Sequence, residues 1–112
     1  MDATVSIPTN LRLNISGTLT TPDTDHDCPI VLLLHGFTGR KEEVHIVTLA
    51  EELRRSGIAT LRFDAPGSGE SDGTPDPDYT MTNYISVVKD VLRYAQSLPG
   101  IDTDHILSLI HI

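Results

Sequence analysis

The chain has 112 residues, 38% of them hydrophobic, and a formal net charge of −8. This length allows one small domain, and the hydrophobic fraction is typical of a globular chain rather than a disordered one. The acidic balance argues against nucleic acid and anionic membrane as partners, since both bind through basic patches. With a single cysteine, Cys28, no signal-peptide pattern and no stretch long enough to cross a bilayer, we expect a cytoplasmic protein.

The first part of the chain predicts an antiparallel hairpin. Residues 5–7 and 11–20 have the composition of strands, and the second alternates apolar and polar positions, as a half-buried strand does. Pro8 to Asn10 supply turn residues between them. Residues 21–29 then form a polar loop, in which a metal site is conceivable at Asp23, Asp25, His26 and Asp27. We favour a solvated acidic loop and expect no metal.

Residues 30–34 form an unbroken apolar run, which predicts a strand buried on both faces of a parallel sheet. The apolar residues of the next segment recur at helical spacing between positions 46 and 53, and Gly57 is suited to end that helix in the left-handed conformation. Residues 58–63 are a second buried strand. Strand, helix and strand in this order are typical of a right-handed βαβ unit, and therefore of an α/β fold.

A long loop rich in glycine, proline and aspartate follows at residues 64–78. Residues 80–98 carry a continuous apolar stripe that predicts a second helix, which Pro99 and Gly100 end. We expect a further strand to begin near His105.

Two motifs resemble those of a known family. The stretch "LLLHGFTG" at residues 32–39 resembles the strand and oxyanion loop of α/β-hydrolases, and residues 62–71 resemble that family's R-x-D-x-x-G-x-G-x-S loop. The HGF form is similar to serine esterases such as the cinnamoyl and feruloyl esterases, and to the serine aminopeptidase-like domain. The resemblance covers roughly residues 5–106. It implies the amino-terminal part of an α/β-hydrolase sheet, truncated before the nucleophile elbow.

The resemblance assigns the backbone N–H of Phe37 to the oxyanion hole, because one donor in these enzymes comes from the loop after the third strand. Preorganised N–H groups stabilise the negative charge that develops on the carbonyl oxygen during acyl transfer. His35 could act as a general base. We favour a supporting role for His35 and Gly36, since the family's catalytic histidine lies much later in the chain.

Residues 69–73, "GESDG", match the nucleophile-elbow pattern G-x-S-x-G. We reject Ser71 as the nucleophile, because Pro75 and Pro77 prevent the helix that an elbow requires. The pair Gly67 and Gly69 also hints at a dinucleotide loop, but Asp72 would repel a pyrophosphate there. The resemblance instead implies loop support from four residues: Asp64, Gly67, Gly69 and Ser71.

The tail Leu107–Ile112, "LSLIHI", is what a transposon-end adapter used for sequencing libraries encodes. We hypothesise that the native reading is residues 1–106 and that 107–112 is not native; the alternative is a true carboxyl-terminal strand. Family members are about twice as long and carry the nucleophile, acid and histidine later. We therefore expect the 112-residue chain to be inactive, with the 30–34 strand left at a bare, aggregation-prone edge.

The function expected from the resemblance is hydrolysis of a small-molecule ester, without a cofactor. An aminopeptidase of the same fold is the nearest alternative. A non-catalytic α/β binding module is the second.

Overall fold

The computed structural model describes residues 2–10, 13–23, 27–35, 44–66, 71 and 81–110. They form five strands and two helices, which in chain order are β1 (Asp2–Pro8), β2 (Asn14–Thr20), β3 (Cys28–Leu34), α1 (Val44–Arg55), β4 (Ala59–Phe63), α2 (Met81–Gln96) and β5 (Ile101–Ile110). The strands make one mixed sheet in the order β1-β2-β4-β3-β5. This confirms the predicted α/β class, with a hairpin followed by parallel strands.

The hairpin joins the sheet through β2. Strands β1 and β2 pair antiparallel, with Asp2 opposite Thr20 and Pro8 opposite Asn14. On its other side β2 pairs antiparallel with β4, with Gly17 opposite Phe63. The second strand thus begins at Asn14, later than the predicted position 11.

Strand β3 lies inside the sheet, parallel to both β4 and β5. Its unbroken apolar sequence is explained by burial on both faces. On one face, alternate residues of β3 and β4 pack under α2; this cluster includes Ile30, Leu32, Leu34, Leu61, Phe63, Tyr84, Val87 and Val91. On the other face, Val31 and Leu33 pack under Ile46 and Ala50 of α1.

Local signals set the helix ends. Gly57 has a φ of 84°, the left-handed conformation that its position after α1 predicts, and Gly100 has a φ of 80° after α2. Helix α1 carries a partly exposed ion pair between Glu51 and Arg54. Among the described residues, the structure has no helix that is both long and apolar enough to span a bilayer.

Strand β5 corrects two predictions. It begins at Ile101 rather than near His105, and its register with β3 is interrupted between Ile101, opposite Cys28, and Ile106, opposite Ile30. Pairing then continues from Leu107 to Ile110, so the expectation that β3 lies at a bare edge is wrong. Strand β5 covers that edge because pairing uses backbone groups, which any extended segment supplies. For the same reason, the non-native origin of 107–112 stays a prediction.

Candidate functional site

The carboxyl ends of the three parallel strands lie level with one another. Leu34, the last residue of β3, is opposite Phe63 of β4 on one side and Ile110 of β5 on the other. In open α/β sheets, ligands bind outside the carboxyl ends of the strands. The segments that follow β3, β4 and β5 therefore leave the sheet at the edge where a site is expected.

His35, the residue directly after β3, is fully buried. Its Nε2 atom accepts a hydrogen bond of 2.9 Å from the backbone N–H of Ala65, just beyond β4. Because a backbone N–H can only donate, Nε2 carries no proton, and the neutral ring holds its proton on Nδ1. The lone pair of Nε2 therefore already accepts a hydrogen bond from the backbone of this chain. This arrangement favours the supporting role predicted for His35 over that of a general base.

Tyr84 of α2 also contacts His35, through the backbone carbonyl as well as the ring. Its hydroxyl donates a hydrogen bond of 2.9 Å to the backbone carbonyl of His35. The two rings lie 5.8 Å apart at 37°, and Tyr84 meets Phe63 edge to face at 6.4 Å. The helical spacing of residues 80–98 places Tyr84 in the apolar stripe of the second helix and does not indicate its polar contact. The available signal was the hydroxyl itself, since a buried tyrosine usually finds a hydrogen-bond partner.

Ser71 connects the end of β4 to β2. The backbone N–H of Asp64 donates to the carbonyl of Ser16 over 3.0 Å, as the antiparallel ladder requires. The reciprocal ladder bond is replaced by a relay through the Ser71 hydroxyl, which accepts from the N–H of Ser16 over 2.9 Å and donates to the carbonyl of Asp64 over 2.6 Å. Asp64 and Ser71 are both buried. The Ser71 oxygen is therefore occupied by two backbone groups.

Four of the predicted site residues, Gly36, Phe37, Gly67 and Gly69, lie outside the described residues, so the oxyanion N–H stays a prediction. Of the conceivable metal ligands before β3, Asp25 and His26 also lie outside. The described part of the chain contains no group of three or more histidine, cysteine, aspartate or glutamate side chains that could hold a metal ion.

The sequence of this chain is similar to those of known proteins. The family model for the alpha/beta hydrolase fold matches residues 29–102. Thiohydrolase aneE from Aspergillus aculeatus is 35% identical over 82 residues, which cover 70% of this chain and 24% of that protein. An uncharacterized 31.7 kDa protein of Escherichia coli is 37% identical over 99 residues, covering 86% of this chain and 33% of that protein. The chain thus spans about a quarter to a third of these relatives.

Solved structures show the same arrangement of strands. Est1E from Butyrivibrio proteoclasticus, solved with ferulic acid bound, superposes with a TM-score of 0.87 and 33% identity over 96% of this chain and 42% of that one. GrgF, an alpha/beta hydrolase from Penicillium sp. sh18, has a TM-score of 0.89 at 22% identity, covering 98% of this chain and 37% of the other. At that identity, the likeness to GrgF concerns the fold alone.

Proposed function

The chain belongs to the α/β-hydrolase fold family, and from this premise we propose that it acts as the amino-terminal part of a serine hydrolase for carboxylic esters. The observation that carries the proposal is the parallel pairing of β5 with β3, which already places Ile106 opposite Ile30. The two neighbouring strands therefore run side by side toward the same edge of the sheet. In this family, the nucleophile elbow is a strand-to-helix turn, and one oxyanion donor lies in the loop after the third strand.

The chemistry follows from that juxtaposition. A serine supplied by chain beyond β5 gives its proton to the catalytic histidine and attacks the ester carbonyl, and the N–H of Phe37 donates to the oxygen on which negative charge develops. The C–O bond of the ester then breaks, the alcohol leaves with that proton, and water hydrolyses the acyl-enzyme to release the acid and restore the serine. Removing one such donor costs about 3 kcal/mol of transition-state stabilisation. His35 and Ser71 take no part in proton transfer in this scheme, since their polar atoms hold the backbone of the neighbouring loop. The acid and the catalytic histidine also come from outside the 112 residues, which are inactive alone.

The relatives suggest what the substrate is. Est1E, 33% identical to this chain, was solved with ferulic acid bound, which supports an aromatic carboxylic ester as the substrate class. A second candidate is hydrolysis at a thioester, favoured by the 35% identity to a protein named as a thiohydrolase. An oxygen ester and a thioester pass through similar tetrahedral intermediates, so one oxyanion hole serves both.

The test begins with the source DNA across codons 100–130. The native reading frame is then expressed in full and assayed with p-nitrophenyl acetate, methyl ferulate, an aryl thioester and a peptide p-nitroanilide. A fluorophosphonate probe followed by peptide mapping identifies the nucleophile. The 112-residue chain is the matched control.

Turnover of oxygen esters with the label on a serine after β5 supports the proposal. Preferred turnover of the thioester supports the second candidate, and turnover of the anilide alone indicates an aminopeptidase. A frame that continues without a G-x-S-x-G, with neither turnover nor label, overturns the enzyme reading in favour of a binding module. A label on Ser71 contradicts its assignment as a loop residue.

A further inference from the structure

We infer that Tyr84 is a positioning residue for the chain that follows His35, and that its hydroxyl group is the part that acts. The inference rests on the proposed function in one respect: the position of that chain matters for catalysis only if it carries the oxyanion donor. The contacts themselves are independent of that function, since they join described residues of β3, β4 and α2.

His35 is held at two separate points. Ala65 N–H fixes the ring at Nε2, and the Tyr84 hydroxyl fixes the backbone carbonyl, each over 2.9 Å. The carbonyl of His35 and the N–H of Gly36 belong to one planar peptide unit. A hydrogen bond to the oxygen therefore sets the orientation of the whole unit, which leads by one further residue to the N–H of Phe37.

The anchor at His35 matters because the next residue is a glycine. Gly36 has no Cβ and explores far more backbone conformations than any other residue type. A chain entering a glycine from an unanchored peptide would distribute the next N–H over many directions. Anchoring the preceding peptide removes the variation in direction that its own rotation would add to the freedom of Gly36, and preorganisation of this kind gives an oxyanion donor its effect.

Tyr84 is well suited to act as a fixed anchor. Its side chain is 7% exposed and is held between the rings of His35 and Phe63. It projects from a helix of 16 residues, whose buried neighbours on the same face, Val87 and Val91, are purely apolar. A phenylalanine would satisfy the packing at this position equally well. The hydroxyl adds a contact with the carbonyl of His35, and in a buried site such a contact is stronger than in water.

The experiment compares Tyr84→Phe with Val87→Ala in the full reading frame. Tyr84→Phe removes the hydroxyl and keeps the ring. Val87→Ala is the matched control, because Val87 is fully buried on the same helix one turn further on, and its truncation destabilises the packing without removing a group that binds His35.

For Tyr84→Phe we expect kcat to fall by about three- to tenfold with KM changed by less than about twofold, which is the effect of one buried hydrogen bond on a transition-state interaction. The rate of inactivation by the fluorophosphonate falls in parallel. For Val87→Ala we expect kcat within about twofold of the wild type at temperatures where the protein is folded.

A second readout does not depend on turnover. Hydrogen exchange at the amides of Gly36 and Phe37 is expected to be several-fold faster in Tyr84→Phe than in Val87→Ala. If the wild type is active and the two variants match in kcat and in exchange, the inference is overturned while the proposed function stands. If the wild type is inactive, the proposed function fails, and exchange decides the inference alone: faster exchange in Tyr84→Phe supports it, and equal exchange overturns it.

Discussion

The carboxylate of Asp90 on α2 accepts two hydrogen bonds from Asn10, which lies 80 positions earlier in the chain. The backbone N–H of Asn10 donates over 3.0 Å and its side-chain amide over 3.1 Å. Asp90 is 5% exposed and also accepts from Arg93 on the same helix. The hydrogen bonds between Asn10 and Asp90 connect the turn of the β1–β2 hairpin to α2, the helix that covers one face of the sheet.

We therefore predict that Asp90→Ala lowers the free energy of unfolding by about 2–3 kcal/mol, because it removes the buried carboxylate that accepts two charge-assisted hydrogen bonds from Asn10. Arg93→Ala is the comparison, since the Arg93 side chain is 67% exposed and its ion pair is worth under about 1 kcal/mol. Urea denaturation followed by circular dichroism measures both. Equal losses would show that Asp90 acts through Arg93 and not through the hairpin.

The serine relay between β2 and β4 leads to a second prediction. Ser71→Ala removes the partner of both the Ser16 N–H and the Asp64 carbonyl, and should cost about 1–3 kcal/mol of stability. Ser97→Ala is the same chemical change at an exposed helix end, where the hydroxyl donates only to the carbonyl of Tyr94, and should cost under about 0.5 kcal/mol. Thermal melts of the two variants, run side by side, decide the matter; indistinguishable melting temperatures would refute the relay's contribution.

Acidification should remove a stabilising contact of Asp102 at the start of β5. A hydrogen bond with His105 and a second from the backbone N–H of Asp104 lower the pKa of Asp102 below its ordinary value of 3.8. The folded pKa is thus below the unfolded one, so the stabilisation is present above pH 3.8 and is lost as the pH falls through the lower, folded value.

A carboxyl-detected NMR titration should place the midpoint of Asp102 below 3.8, and His105→Ala should move it upward. The effect on stability is small because the His105 side chain is largely in solvent and that of Asp102 is partly exposed. A midpoint at or above 3.8 in the unmodified chain would contradict the observed contact.

Solubility offers a fourth prediction. Strand β5 is at the end of the strand order, and Leu107 on it is 64% exposed. Because an edge strand offers free backbone donors and acceptors to other chains, we expect the 112-residue chain to aggregate through β5. Leu107→Lys should raise the soluble fraction several-fold, whereas Ile85→Lys should not, since Ile85 is 51% exposed on a helix whose backbone is already paired. Equal gains, measured by light scattering, would point to general surface charge instead.

The sequence by itself determined the elements whose signals are local. The apolar run ending at Leu34, the helical spacing that places Ile46 and Ala50 on one face, and the left-handed glycine at position 57 each depend on neighbours within a few residues. These signals were enough to predict the α/β class and the hairpin. They set element ends less well: β2 starts later and β5 earlier than predicted, because strand ends depend on pairing partners.

The tertiary structure decided which distant groups meet. Nothing in the spacing of His35, Ala65 and Tyr84 indicates that a ring nitrogen, a backbone N–H and a phenol hydroxyl converge on one residue. The same holds for the pairing of β5 with β3, since the prediction of a bare edge at β3 is wrong. Hydrophobic periodicity reports which face of an element is buried, since burial is non-directional. Hydrogen bonds require distances and angles between elements, and these exist only once the sheet has set its strand order and register.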